Sequence, residues 1–196
     1  MCAILTEPGD TYNLLTAIVD NKIEFIHCIA DAYQPDFITV MDDYAHQDGL
    51  AMFPTTFRKL FKSQLKRLVD AVHSHGIKYK QHCCGKMEAL AQNFLDIGID
   101  VLNPVQPMND IPAMQVLFAG KARICGGLDV QNVIDLNGVT EEEIRAETLR
   151  CIEQYGRGGG YTLYCATVGL LNPKSYQPGG NLHTVIDKCK KYEASL

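Results

Sequence analysis

Residues 77–107 read IKYKQHCCGKMEALAQNFLDIGIDVLNPVQP. Ile77 to Gln81 is a short strand, and the polar group His82-Cys83-Cys84-Gly85 stands at its end. From Met87 to Ile97 the apolar spacing predicts a helix, closed by Gly98, the residue type that takes a left-handed helix end at least cost. Ile99 to Leu102 is a second strand, running into Asn103-Pro-Val-Gln-Pro107. Strand, helix, strand in so short a span is a βαβ unit, and its two strands must run parallel.

The same alternation extends in both directions. Upstream, Asp36 to Met41 predicts a strand, and Pro54 opens an amphipathic helix that reaches His75 and stops at Gly76. His73 and His75 fall in its last turn, where cationic side chains complement the helix dipole on the surface. Before these, one helix starts near Thr11 with Leu14, Leu15, Ile18 and Val19 on one face, and a second spans 21–33. Downstream, residues 111–119 and 140–155 predict helices, the latter with Glu141, Glu142 and Glu143 in its first turn. Ala122 to Cys125 and Tyr161 to Cys165 predict strands, and 181–194 predicts a final helix. The glycine run 156–160 leads into a strand rather than out of one, so it predicts a tight helix-to-strand turn, not a phosphate cradle. Five strand–helix units in series argue a parallel sheet in one domain, 1–196.

Composition narrows the function classes. Of 196 residues 46% are hydrophobic and 21% charged, which suits a soluble α/β protein with one sizeable core. Lys plus Arg is 18 against 23 Asp plus Glu, so there is no basic field to hold nucleic acid. No apolar run approaches the ~20 residues that span a bilayer, and no basic, apolar leader opens the chain. The expectation is a cytoplasmic protein whose eight cysteines are reduced thiols.

In parallel α/β folds, chemistry gathers beyond the carboxyl ends of the strands. Five polar groups fall there: Asp42/Asp43, His82/Cys84, Asn103/Gln106, Gly126/Gly127/Asp129 and Cys165. His82 and Cys84 are two apart, so in extended chain they point to one side while Cys83 points to the other. An imidazole and a thiolate could then share one ion, with Cys165 as a third ligand and a fourth position open, the donor set of a catalytic zinc. The competing reading is two packed cysteines and a core histidine. Asp42 and Asp43 could be a carboxylate pair for proton transfer or could cap local structure.

Five segments taken in order resemble the uroporphyrinogen decarboxylase superfamily. They are the polar segment 42–49, His82-Cys-Cys-Gly85, the stretch 98–107, Gly126-Gly-Leu-Asp129 and Gly158-Gly-Gly-Tyr-Thr-Leu. The resemblance covers most of the chain from about Thr11 and implies a TIM-type (β/α)8 barrel. The family holds metal-free decarboxylases of porphyrin biosynthesis and zinc methyltransferases. The latter move a methyl group from a corrinoid protein to a thiol such as coenzyme M. His82, Cys84 and Cys165 fall on the methyltransferases' metal positions, so zinc is the expected cofactor, a methylcobamide on a partner protein the donor and a small thiol the acceptor. Asp42, Asp43 and Gln106 are then the candidate catalytic groups, and Gln47, Asn103, Gly127 and Asp129 the candidate substrate-binding ones.

The resemblance also implies that something is missing. The five strands correspond to the fourth to eighth of the family barrel. The first and fifth start near 37 and 161, so four units take 161 − 37 = 124 residues, or about 31 each. Eight such units need about 248, close to the ~250 of a complete barrel. Three readings follow: a methyltransferase-like enzyme, a decarboxylase-like lyase, or an inactive fragment or half of a split or self-pairing barrel.

Overall fold

A computed structural model describes residues 2–165 and 172–195. Seven strands occur among them: β1 (Phe37–Met41), β2 (Ala45–His46), β3 (Gly49–Leu50), β4 (Lys78–His82), β5 (Val101–Val105), β6 (Arg123–Gly127) and β7 (Tyr161–Tyr164). The α-helices are α1 (Cys2–Thr6), α2 (Pro8–Tyr33), α3 (Pro54–Leu60), α4 (Lys62–His73), α5 (Ala91–Ile97), α6 (Ile111–Phe118), α7 (Glu141–Tyr155) and α8 (Asn181–Glu193). Among the described residues no helix is long and apolar enough to cross a membrane.

The main sheet runs β1-β4-β5-β6-β7, every pair parallel. Spatial order therefore equals chain order. A doubly wound sheet would reverse direction part-way, whereas winding in one sense is how a barrel is built. Alternation divides the residues between two faces. Ile38, Val40, Tyr79, Leu102 and Ile124 join Leu65, Leu68 and Val72 of α4, Phe94 of α5 and Met114 and Phe118 of α6 in one buried core. On the other face of β1, Phe37 and Met41 are 51% and 69% exposed. In a closed barrel that face would be the packed interior.

The departures from the sequence reading have local causes. The two expected N-terminal helices are one, α2, because Asp20 at the supposed junction continues the helix and forms an ion pair with Arg67 of α4. The single helix expected from Pro54 is two, α3 and α4, divided at Phe61 with φ −106°. Phe61 and Phe57 flank Tyr44 at centroid distances of 5.5 and 5.0 Å, an aromatic cluster that also takes in Phe94. The segment 42–49 contributes to an antiparallel hairpin, β2–β3, too short for any periodicity to announce. Strand β5 reaches Val105 and buries Asn103 within the sheet, where the sequence suggested a polar loop. The glycine turn before β7 is as expected, with Gly159 and Gly160 at φ +70° and +66°.

Candidate metal centre

Strand β4 lies between β1 and β5, and its last residue, His82, is in register with Met41 and Asn103. Side chains alternate, so Lys78, Lys80 and His82 share the uncovered face. Just past the strand, Cys83 turns into the core, where its Sγ accepts a hydrogen bond from the Tyr44 N–H (3.4 Å) and burial pushes its thiol up to about 12. Cys84 is only half-buried, and its Sγ lies 3.3 Å from His82 Nε2. Asp43, two residues past β1, completes the group. Its Oδ1 accepts the Cys84 N–H at 2.7 Å and stands 3.9 Å from His82 Nε2.

Sulfur, nitrogen and oxygen donors of these three residues all lie within 4.8 Å of one another. Burial, and then the negative charge of Asp43, raise the Cys84 thiol above its ordinary value. An isolated thiolate is disfavoured there, because it would face a carboxylate. A divalent cation reverses the sign of that interaction, drawing both negative donors toward itself. The donor set therefore fits a zinc-type ion.

The loop carrying Cys84 is tied from below. Gly85 sits at φ +90°, and a Cβ there would come 2.6 Å from the His46 carbonyl oxygen, so only glycine fits. Its N–H donates to Gln106 Oε1 at 2.7 Å. Buried Asn109 accepts the Met87 and Glu88 N–H groups at 2.8 and 3.1 Å and donates to the carbonyls of Gly85 and Gln106 at 2.9 and 3.0 Å. One side chain thus satisfies four backbone groups of two converging loops.

The other expected residues have separate surroundings. Asp42 is not paired with Asp43 but with Lys22 of α2, at 3.1 Å. Gln106 holds Gly85, as above. Gln47 is exposed at the turn of the β2–β3 hairpin. Asn103 is buried and donates to Cys125 Sγ at 3.3 Å. The Gly127 carbonyl accepts from Arg150 at 3.3 Å. Asp129 caps the short helical turn that follows it, accepting the Asn132 N–H at 3.0 Å, while its own N–H donates to Glu147 at 2.8 Å. Cys165 follows β7, half-buried, and is not among the three residues whose donors meet within 4.8 Å.

Two groups on the uncovered face were not anticipated. Lys80 Nζ stands 5.1 Å from the ring centroid of Tyr164 on β7, so it reaches across β5 and β6. Burial raises the Tyr164 phenol above its ordinary value, and the neighbouring Cys125 and Tyr176 act in the same direction. It remains a neutral donor. The spacing Lys80-x-His82 held the clue to Lys80, since both residues share a face by the period of two. Nothing local pointed to Asn109.

Comparison with known proteins agrees with this architecture. The chain spans about half of the solved chain it matches and about a quarter of the curated relative. That solved chain is a methyltransferase from Methanosarcina mazei of TIM-barrel type. It superposes with a TM-score of 0.73 at 18% identity, covering 98% of this chain and 52% of the other. Methylcobamide:CoM methyltransferase MtaA of Methanosarcina barkeri is 28% identical over 93 residues, 47% of this chain and 26% of that protein. The family model described as uroporphyrinogen decarboxylase (URO-D) matches residues 1–168. With that match running through most of its length and the parallel half-barrel beneath it, the chain belongs to the uroporphyrinogen decarboxylase family.

Proposed function

We propose that this chain carries the metal-binding part of a methyltransferase site, where a thiol acceptor receives a methyl group from a corrinoid partner. The observation that carries this reading is the meeting of Cys84 Sγ, His82 Nε2 and the Asp43 carboxylate beyond the carboxyl ends of adjacent strands. His82 and Cys84 would hold zinc, with Asp43 or Cys165 as third ligand. Bound there, zinc supplies a Lewis acid that keeps a thiol deprotonated near neutral pH. Asp43 orients Cys84 through its N–H, and Gln106 and Asn109 fix the loop behind it. Lys80, on the same face as His82, offers a cation to a negatively charged acceptor. The similarity to methyltransferases supports this direction.

Metal analysis of desalted protein, purified without chelator, tests the reading. About one zinc per chain, lost in Cys84→Ala, is expected. Less than about half an equivalent, unchanged in that variant, overturns it. Methyl transfer from free methylcobamide to a small thiol is the matching activity assay.

A second reading rests on the uncovered face. Phe37 and Met41 project from it, and β1 and β7 each have one unpaired edge among the described strands. Parallel sheets are ordinarily covered on both faces. The working unit would then be this half-barrel joined to further strand–helix units, from another chain or from a second copy. Light scattering on the isolated chain separates the cases, since a stable, active monomer removes the need for either.

A further inference from the structure

Helices α2 and α4 run side by side in one direction. Their seam is stitched by Tyr12 Oη to Ser63 Oγ (3.4 Å), by Gln64 donating to Thr16 Oγ1 (2.7 Å) and by the Asp20–Arg67 ion pair. At its far end, just past α4, the seam closes on two imidazoles. His27 Nδ1 and His75 Nε2 lie 2.7 Å apart, with ring centroids at 5.0 Å. Asp31, one turn on from His27, places its Oδ1 3.8 Å from the other ring nitrogen of His75, Nδ1. The cluster borders a polar cleft of about 750 Å³ whose walls include Asp31, Asp36, His75 and Lys78. All of this is at the amino-terminal rim of the sheet. Strand β4 separates it from His82, and five strand residues at ~3.3 Å each put the two places roughly 13 Å apart or more.

We infer that His27 and His75, braced by Asp31, form a second divalent-metal site of zinc, nickel or cobalt type, which staples α2 to the end of α4. Neutral imidazole is the commonest protein ligand for these ions, and the hydrogen bond between His27 Nδ1 and His75 Nε2 already brings two such nitrogens together. A carboxylate on the far nitrogen of a ligating histidine fixes its tautomer and raises its basicity, and Asp31, 3.8 Å from His75 Nδ1, needs only a small side-chain turn to make that bond. Metal–nitrogen bonds of ~2.0–2.1 Å in tetrahedral array hold two ligand nitrogens about 3.3 Å apart, so the pair need open by only about 0.6 Å. Asp31 is largely exposed, and the cleft leaves room for water at the remaining positions.

The test uses full-length protein with the first site removed by His82→Ala and Cys84→Ala. Calorimetric titration with Ni²⁺ or Zn²⁺ should give one equivalent bound more tightly than about 100 µM. His27→Ala or His75→Ala should each weaken it at least about tenfold, and Asp31→Asn by less. Should the double variant not fold, wild-type protein takes two equivalents of Co²⁺. The first gives a thiolate-to-metal charge-transfer band from Cys84, and the second gives visible absorption without that band. Weaker binding, or an affinity indifferent to both histidine substitutions, overturns the inference. Because the charge-transfer band reports Cys84 separately, failure here is distinct from failure of the proposed function.

Discussion

Two clusters built on an aspartate and a histidine, one at each rim of the sheet, differ in how far their bonding is closed. At the amino-terminal rim, Asp100 accepts from His73 (2.7 Å), Lys78 (3.0 Å) and the Tyr79 N–H (2.8 Å). Three donors answer both oxygens of the carboxylate, and the result is a joint between α4, β4 and β5. At the carboxyl rim, Asp43, His82 and Cys84 also converge, but they come from two loops and a strand end and leave a common point between their donor atoms. A closed hydrogen-bond set adds stability, whereas a set that converges with capacity to spare can take a ligand. Asp and His recur in both sets; Lys78 and a backbone N–H answer the carboxylate in one, and Cys84 adds a further donor in the other.

Five substitutions, one of them a control, would break or sharpen this contrast. The largest effect is expected for Cys84→Ala, which should cost more than about 100-fold in zinc affinity, beyond the loss of any supporting partner. The control is His73→Ala at the other rim, which should leave metal content unchanged. Competition against a chelating dye reads both. Next is Asn109→Ala, which strands two N–H donors and two carbonyls beneath the loop that carries Cys84. Denaturant unfolding should show a loss of about 3 kcal/mol. If Asn109→Ala proves neutral, the carboxyl rim is not the braced platform described above.

Asp43→Asn keeps the hydrogen bond from Cys84 but removes the charge. Metal affinity should fall about 10- to 100-fold with folding stability nearly unchanged, and an affinity equal to wild type would leave the third position to Cys165. The smallest effect belongs to Asp100→Asn, about 1 kcal/mol at pH 7. Burial pushes the Asp100 carboxyl up, but the hydrogen bonds from His73, Tyr79 and Lys78 outweigh this and hold it below its ordinary value of 3.8. The folded state therefore binds the proton less readily than the unfolded chain. This stabilisation is complete above the unfolded value and fades as pH falls through the folded one. The gap between wild type and variant should narrow below about pH 4, and a gap independent of pH would assign the effect to packing.

Much of this molecule can be read without its coordinates. The alternation of strands and helices, the parallel sheet and the placing of polar groups at strand ends follow from hydrophobic period and from Pro and Gly punctuation. These signals act over a few residues and survive almost any tertiary context. His82-x-Cys84 facing one way, with Cys83 inward, is of the same kind. The misreadings fall where a distant neighbour overrides the local signal. Phe61 divides a helix to reach Tyr44, Asn103 is drawn into β5, and Asp42 turns to Lys22 on α2 rather than joining Asp43.

The sequence by itself determined the fold class and the shared direction of His82 and Cys84, two of the three residues whose donor atoms lie close together at the carboxyl rim. Only the tertiary structure decided that Asp43 is the third to meet them, that Lys80 spans two strands to Tyr164, and that His27 and His75 touch across 48 residues. The reason is geometric. A strand's period tells which side a residue faces, but which residues from different strands and helices converge depends on register, sheet curvature and helix alignment. Those are set by the packing of the whole core.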